Sequence, residues 1–248
     1  MIKLIFLLFL IPSLIYGGVY FDGVDDKVSL GTNSSLDVYT SGYTLMCWVN
    51  LADNTTSQGL IASATGDNGG FRLMLRTKFN ATDNHNNIDL AKSQIINQKV
   101  WCVIKNNVWT HIAVVQYYSG ATPSSIEVFI NGVSTGTFAD TNNYVSAAGQ
   151  TKVISDPGPT WGGHFKGQAG DIRIYNKVLS HNEIKSAMSR YDFADIYTKG
   201  IWRFNDNIGY DTKKTFDLSG NNNTGTHTGT SNGKSNPPIL MQPIYAGD

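Results

Sequence analysis

Glutamate is almost missing from this chain of 248 residues: there are two, Glu127 and Glu183. Glycoside hydrolysis needs two carboxyl groups across a sugar ring, roughly 5 Å apart in retaining enzymes and 6.5 to 9.5 Å apart in inverting ones. Glu183 is absorbed by a helix cap and Glu127 stands alone in a hairpin strand. An acid pair would therefore have to be built from aspartates, and none is displayed along a core strand. The two G-x-S-x-G matches, Gly132–Gly136 and Gly229–Gly233, fall in a hairpin and a turn-rich segment rather than on a strand-to-helix elbow, and there is no Cys/His pair with an orienting partner, so nucleophilic hydrolysis has no visible machinery either. Cysteine is equally scarce, with Cys47 and Cys102 alone. Two cysteines beside five scattered histidines exclude a structural zinc site. Charge is sparse and balanced: 15% of residues are charged and the formal net charge is zero. Without a basic stripe or acidic tail, nucleic acid and membrane surfaces are disfavoured as partners.

Long apolar runs are absent after the first seventeen residues, MIKLIFLLFLIPSLIYG. Lys3 there precedes an apolar stretch from Leu4 to Leu14, ending near Gly17. The pattern is that of a secretory signal peptide, and the run is too short for a membrane span, which takes about 20 residues. The remaining chain is thus expected to be secreted, with no membrane insertion once the signal is removed. In an oxidising compartment Cys47 and Cys102 are expected to pair, closing a loop with about 4 kcal/mol of stabilisation in the chain-entropy model. Four N-x-S/T sequons, at Asn33, Asn54, Asn80 and Asn222, fit an extracellular surface.

The dominant period is two. In "YTLMCWVNL", Tyr43, Leu45, Cys47, Val49 and Leu51 share one face, and Thr44, Met46, Trp48 and Asn50 the other. Both faces are bulky, which predicts an inner strand covered on both sides. "GFRLMLRTK", "KVWCVIK", "VWTHIAVVQYY", "SIEVFINGVSTGTF", "TKVIS", "GDIRIYNKVL" and "GIWRFN" follow as further strands. Asn131-Gly132 marks a hairpin, because both residues accept the positive φ of a type I′ turn. In "SHNEIKSAMSR", Ser180 and Glu183 have capping-box spacing, ahead of an apolar stripe at Ile184, Ala187 and Met188. The expected fold class is all-β: a two-sheet antiparallel β-sandwich with one short helix. After it, "DLSGNNNTGTHTGTSNGKSNPP" reads as a turn-dominated surface segment.

Four phrases in order carry a family resemblance. They are "YFDGVDDKVSLG…YTLMCWVN", "NNVWTHIAVVQ…SIEVFINGVSTGT", "FKGQAGDIRIYNKVLSHNEI" and "GIWRFNDNIGYDTKKTFDLSGNNNTGT". Together they resemble LamG-like (laminin G-like) domains of the concanavalin A-like lectin/glucanase jelly-roll family. After the signal peptide at 1–17, the resemblance implies a sandwich over 18–205 and a Gly/Asn-rich extension over 206–248 that packs on it. Such domains are mostly noncatalytic modules that bind glycans or proteins, often with a structural calcium ion. The E-x-D-x-x-E strand of the retaining glucanases of this fold is absent.

Calcium takes six to eight oxygen ligands. Asp22, Asp25 and Asp26 crowd the first strand and its turn, and Asp171 lies in a late strand that can neighbour it. Asp22, Asp25 and Asp171 are the expected ligand set; the competing reading of "FDGVDD" is a polar turn. Asp217 in "DLSGNNN" heads a second oxygen-rich loop, better read as an Asx-type turn. Trp161 and His164 in "DPGPTWGGHF", with Tyr144, are the candidate glycan contacts. Trp48, Trp109 and Trp202 read as structural, and His111 as a core histidine. The leading expectation is a secreted, noncatalytic carbohydrate-binding module with a glycan or extracellular protein partner. A glycan-active enzyme of the same fold, and a structural protein of a cell surface or virion, are the alternatives.

Overall fold

The computed structural model describes residues 18–38, 41–53, 58–63, 71–76, 86–92, 95–102, 104–140, 148–155, 163–189, 194–204 and 213–232, with backbone alone between 71 and 102. The strands in chain order are β1 (Val19–Asp22), β2 (Lys27–Gly31), β3 (Tyr43–Leu51), β4 (Gln58–Ala62), β5 (Phe71–Arg76), β6 (Asn86–Lys92), β7 (Ile95–Cys102), β8 (Trp109–Ser119) and β9 (Thr122–Ile130). They continue as β10 (Val133–Ala139), β11 (Lys152–Ile154), β12 (Gly163–His164), β13 (Lys166–Tyr175), β14 (Thr198–Trp202), β15 (Lys214–Thr215), β16 (Gly225–Thr228) and β17 (Ser231–Asn232). Among the described residues there is one α-helix, α1 (His181–Met188), between β13 and β14.

The strands form two sheets. The first runs β10-β9-β8-β3-β13-β1-β17, with β14 also on β13; the second runs β15-β16-β2-β11-β4-β5-β6-β7, with β12 parallel to β4. All other pairings are antiparallel. The period-two reading of β3 is realised. Tyr43, Leu45, Cys47, Val49 and Leu51 enter the inter-sheet core with Ile112, Val114, Val128, Ile154 and Ile172. The opposite face is buried too, because α1 covers it: Ile184 and Ala187 meet Met46, Ala113, Val115, Phe129 and Tyr175. Each fully buried side chain of this size contributes roughly 1.5–3 kcal/mol.

Local chemistry sets the helix and the hairpin. Ser180 Oγ accepts the Glu183 N–H, and Glu183 Oε2 accepts the Ser180 N–H at 2.7 Å, completing the capping box. Lys177 Nζ adds an ion pair to Glu183 at 2.5 Å, and these contacts hold the Glu183 carboxyl down at about 2. At the β9–β10 turn, Asn131 and Gly132 take φ of 50° and 74°. Asn131 also ties the turn to β8: its Oδ1 accepts the His111 N–H, and its own N–H donates to the His111 carbonyl.

The C-terminal segment completes both sheets. β16 pairs with β2 in one sheet and β17 with β1 in the other, so the chain crosses between sheets at Gly229–Thr230, beside the point where β1 crosses to β2. Asp217 fixes the approach. Its carboxylate accepts from the N–H groups of Ile201, Ser219 and Asn223 and from Ser219 Oγ, all within 3.0 Å. Asn223 Nδ2 then donates to the Lys199 carbonyl and to Ser35 Oγ, and Trp202 Nε1 donates to the Asn223 carbonyl. "DLSGNNN" is thus a hydrogen-bonded clamp on β14, with both Asp217 oxygens engaged by donors.

One expectation is corrected. Cys47 is a free thiol, not half of a disulfide with Cys102. It sits on the central strand of the first sheet and faces the apolar core, where burial pushes the thiol pKa up. Cys102 closes β7, the last strand of the other sheet, opposite Asn86; its side chain lies outside the described residues.

Candidate functional site

The polar rim at the β1–β2 corner gathers three of the expected site residues, Asp22, Asp25 and His164. β1 ends at Asp22, which pairs across to Lys166 of β13. The next residues must reverse and change sheets, and carboxylates replace the missing ladder partners. Asp22 Oδ1 accepts the Val24 N–H, and Asp26 Oδ2 accepts the Asp22 N–H, each at 2.7 Å. The turn reading of "FDGVDD" is therefore correct as local structure. It also concentrates charge: oxygens of Asp22, Asp25 and Asp26 all lie within 4.8 Å of one another. Asp22 and Asp25 are exposed, whereas Asp26 is buried. Burial raises the Asp26 pKa above its usual 3.8, its neighbours Asp22 and Asp25 add to the rise, and the Asp22 N–H and His164 oppose it.

His164 stands on the same rim. Its ring Nδ1 donates to the Ser155 carbonyl. Ser155 Oγ accepts the Phe165 N–H, and Gln58 Oε1 accepts the Lys166 N–H, so the β12–β13 junction is pinned to β4 and β11. Lys166 Nζ lies 3.8 Å from Asp53 Oδ2, a half-exposed and weak pair.

Asp171 is not part of this cluster, which corrects the expected ligand set. It is buried, and its two oxygens bind Arg173 Nε and Nη2 at 2.6 and 3.1 Å. The β13–β3 register shifts between Gly170 and Arg173, and Asp171 takes φ of 46° there. That irregularity turns its carboxylate onto Arg173 rather than along β1. The residue that joins Asp22 and Asp25 is Asp26. Adjacent aspartates look alike in a sequence; only the start of β2 at Lys27 decides which one faces inward.

His111 is a core residue as expected, but its Nδ1 has no hydrogen-bond partner among the described residues. It packs edge-on against Trp48 at 5.3 Å, and burial holds its pKa down at about 3. Trp48 and Trp202 are buried and structural. Trp161, Tyr144, Asn54 and Asn80 lie outside the described residues. Of the other sequons, Asn33 caps a 3-10 turn through Ser35 N–H and donates to the Asn221 carbonyl, while Asn222 is exposed with φ of 60°.

Two sheets in jelly-roll order, an F-D-G-x-D-D corner and the capped helix after β13 are together the signature of one family, and the model for "Concanavalin A-like lectin/glucanases superfamily" matches residues 22–185. The chain belongs to this superfamily. No curated protein matches it significantly in sequence. Among solved structures, this concanavalin A-like chain is similar to a candidate carbohydrate-binding protein from Bacteroides ovatus, with 15% identity, TM-score 0.68, and coverage of 90% of this chain and 61% of that one. It therefore spans less than two thirds of that protein's length. It is also similar to a heptameric SAP-like pentraxin from Limulus polyphemus, with 17% identity, TM-score 0.52, and coverage of 69% and 81%. A third is domain 4 of the extracellular GH43 arabinanase AbnA from Geobacillus stearothermophilus, bound to arabinotriose, with 19% identity, TM-score 0.50, and coverage of 68% and 74%. At these identities the likeness is one of fold. Among the described residues no helix is long and apolar enough to cross a membrane.

Proposed function

We propose that the chain is a secreted, noncatalytic carbohydrate-recognition module whose binding surface lies at the β1–β2 rim. The observation that carries this reading is the gathering of Asp22, Asp25, Asp26 and His164 at one edge of a lectin-type sandwich. Hydroxyl-rich ligands are held by such convergent acceptors, set on loops of a rigid scaffold. The two glutamates support a noncatalytic role, because each is engaged by structural contacts. Glu127 accepts from Tyr117 and Ser134, and Glu183 caps α1. The sugar-bound arabinanase domain of the same fold points the same way.

Calcium suits the rim. Three clustered carboxylates are hard oxygen donors, and each hydrogen bond at Asp22 and Asp26 engages a single oxygen, leaving the other oxygen of each turned to neither of these donors. When bound, the ion would supply positive charge that relieves the repulsion among the three carboxylates. Trp161, which precedes β12 in the sequence and lies outside the described residues, stays the aromatic candidate for stacking in this reading.

A glycan array of the mature chain, run with calcium and with chelator, tests the proposal. Retention on at least one glycan, lost in Asp25→Asn, is expected. No binding in either condition counts against a lectin-like role. Turnover of a polysaccharide panel would replace it with the enzyme reading.

A further inference from the structure

Lys152 occupies a place where a lysine is costly. It opens β11, the strand between β2 and β4 in the second sheet, and is 1% exposed. Its Nζ stands 2.6 Å from Oδ1 of Asp37, itself 14% exposed, in the segment after the 3-10 turn Ser34–Leu36. Leu36 and Val38 on one side, and Val153 and Ile154 on the other, are buried. Neither Lys152 Nζ nor Asp37 Oδ1 has a hydrogen-bond partner among the described residues, so their close approach lies outside hydrogen-bond geometry. A charged pair in such a place meets a desolvation penalty that only good geometry and further hydrogen bonds offset, and neither is present at these two atoms.

We propose that Lys152 and Asp37 condense in the folded chain to a side-chain isopeptide bond. Within the pair, the ammonium passes a proton to the carboxylate, giving a neutral amine and a carboxylic acid. The Nζ lone pair attacks Asp37 Cγ and forms the C–N bond. The C–OH bond then breaks, the hydroxyl takes a proton from the nitrogen, and one water leaves. The step is redox-neutral and uses no co-reactant. The fold supplies what the reaction lacks in solution: two groups held in contact, with the amine buried away from bulk water. The product replaces a buried ammonium and a partly buried carboxylate by a neutral amide. It also closes a loop of roughly 115 residues, acting on the unfolded chain as a disulfide of that span would. In a chain whose Cys47 is unpaired, this is where a covalent staple resides.

Peptide mapping by mass spectrometry tests the proposal on the full chain, produced in a bacterial host that adds no N-glycan. A branched peptide is expected that joins the segments around Asp37 and Lys152, lighter by one water than their sum, with Lys152 resistant to trypsin. It should be missing from Lys152→Arg. Asp37→Asn should restore the same branched peptide, with ammonia as the leaving group. A wild-type map showing only unlinked peptides, cleaved after Lys152, overturns the proposal, and this readout holds even if the variants do not fold.

Discussion

Gly229 seats its backbone directly against the carboxylate of Asp26: a Cβ at position 229, where φ is 73°, would overlap Asp26 Oδ1. The crossover that carries β16 into β17 is thereby locked onto the crossover that carries β1 into β2. The C-terminal segment closes the sandwich at the same corner that bears the candidate site.

This contact makes Gly229→Ala a sharper test than an ordinary glycine substitution. Gly31 has a similar φ of 75° but open space around it, so Gly31→Ala should cost only the left-handed strain, about 1 kcal/mol. Gly229→Ala should lose a further ~1–3 kcal/mol of overpacking. Chemical denaturation of the two variants side by side reads the difference; equal losses would mean that the Asp26 contact is unimportant.

Calcium binding at the rim and the buried Asp171–Arg173 pair are separable by thermal melts. Calcium at 100 times its dissociation constant should stabilise the wild-type chain by about 2.7 kcal/mol. Asp22→Asn and Asp25→Asn should abolish that shift with little effect in chelator. Asp171→Asn should instead keep the calcium shift and lose about 3–5 kcal/mol in both conditions, because it removes the carboxylate charge that faces the buried Arg173. An unchanged wild-type melt at millimolar calcium would remove the ion from the account.

His111 predicts an acid-labile fold. Its folded pKa, about 3, lies below the ordinary 6.5, so the unfolded chain binds more protons between these values. Stability should therefore fall as the pH drops from 6.5 toward 3. His111→Phe keeps the ring beside Trp48 and removes the titration. Its stability between pH 6.5 and 3 should depend less on pH than that of the wild type; identical slopes would assign the acid sensitivity elsewhere.

Cys47 should be inert to alkylating reagents in the native chain and fully reactive in denaturant without reductant. Burial keeps it protonated and inaccessible, and no disulfide masks it. A thiol that appears only after reduction would restore the disulfide reading.

Much of the fold was readable because its signals are local. The alternation in "YTLMCWVNL" reports two covered faces, Asn131-Gly132 reports a hairpin, and Ser180 with Glu183 reports a helix start. Each depends on side chains a few positions apart. The failures were all long-range. Whether Cys47 meets Cys102, and whether Asp171 meets Asp22, depends on which strands the topology sets side by side. In both instances the residue sits in the expected strand but faces another partner, Cys47 into the apolar core and Asp171 onto Arg173. The Lys152–Asp37 contact left no trace in the pattern, since neither residue belongs to a motif.

The amino-acid sequence by itself determined the period-two strands, the capped helix, the jelly-roll family and the acidic character of the β1–β2 turn, because propensity, capping and alternation act within a turn or a strand. Only the tertiary structure decided that Asp26 rather than Asp171 joins Asp22 and Asp25, that the C-terminal segment locks that corner, and that the buried Lys152 meets the carboxylate of Asp37. Those outcomes rest on strand register and burial, which bring distant residues together and which no short stretch of sequence encodes.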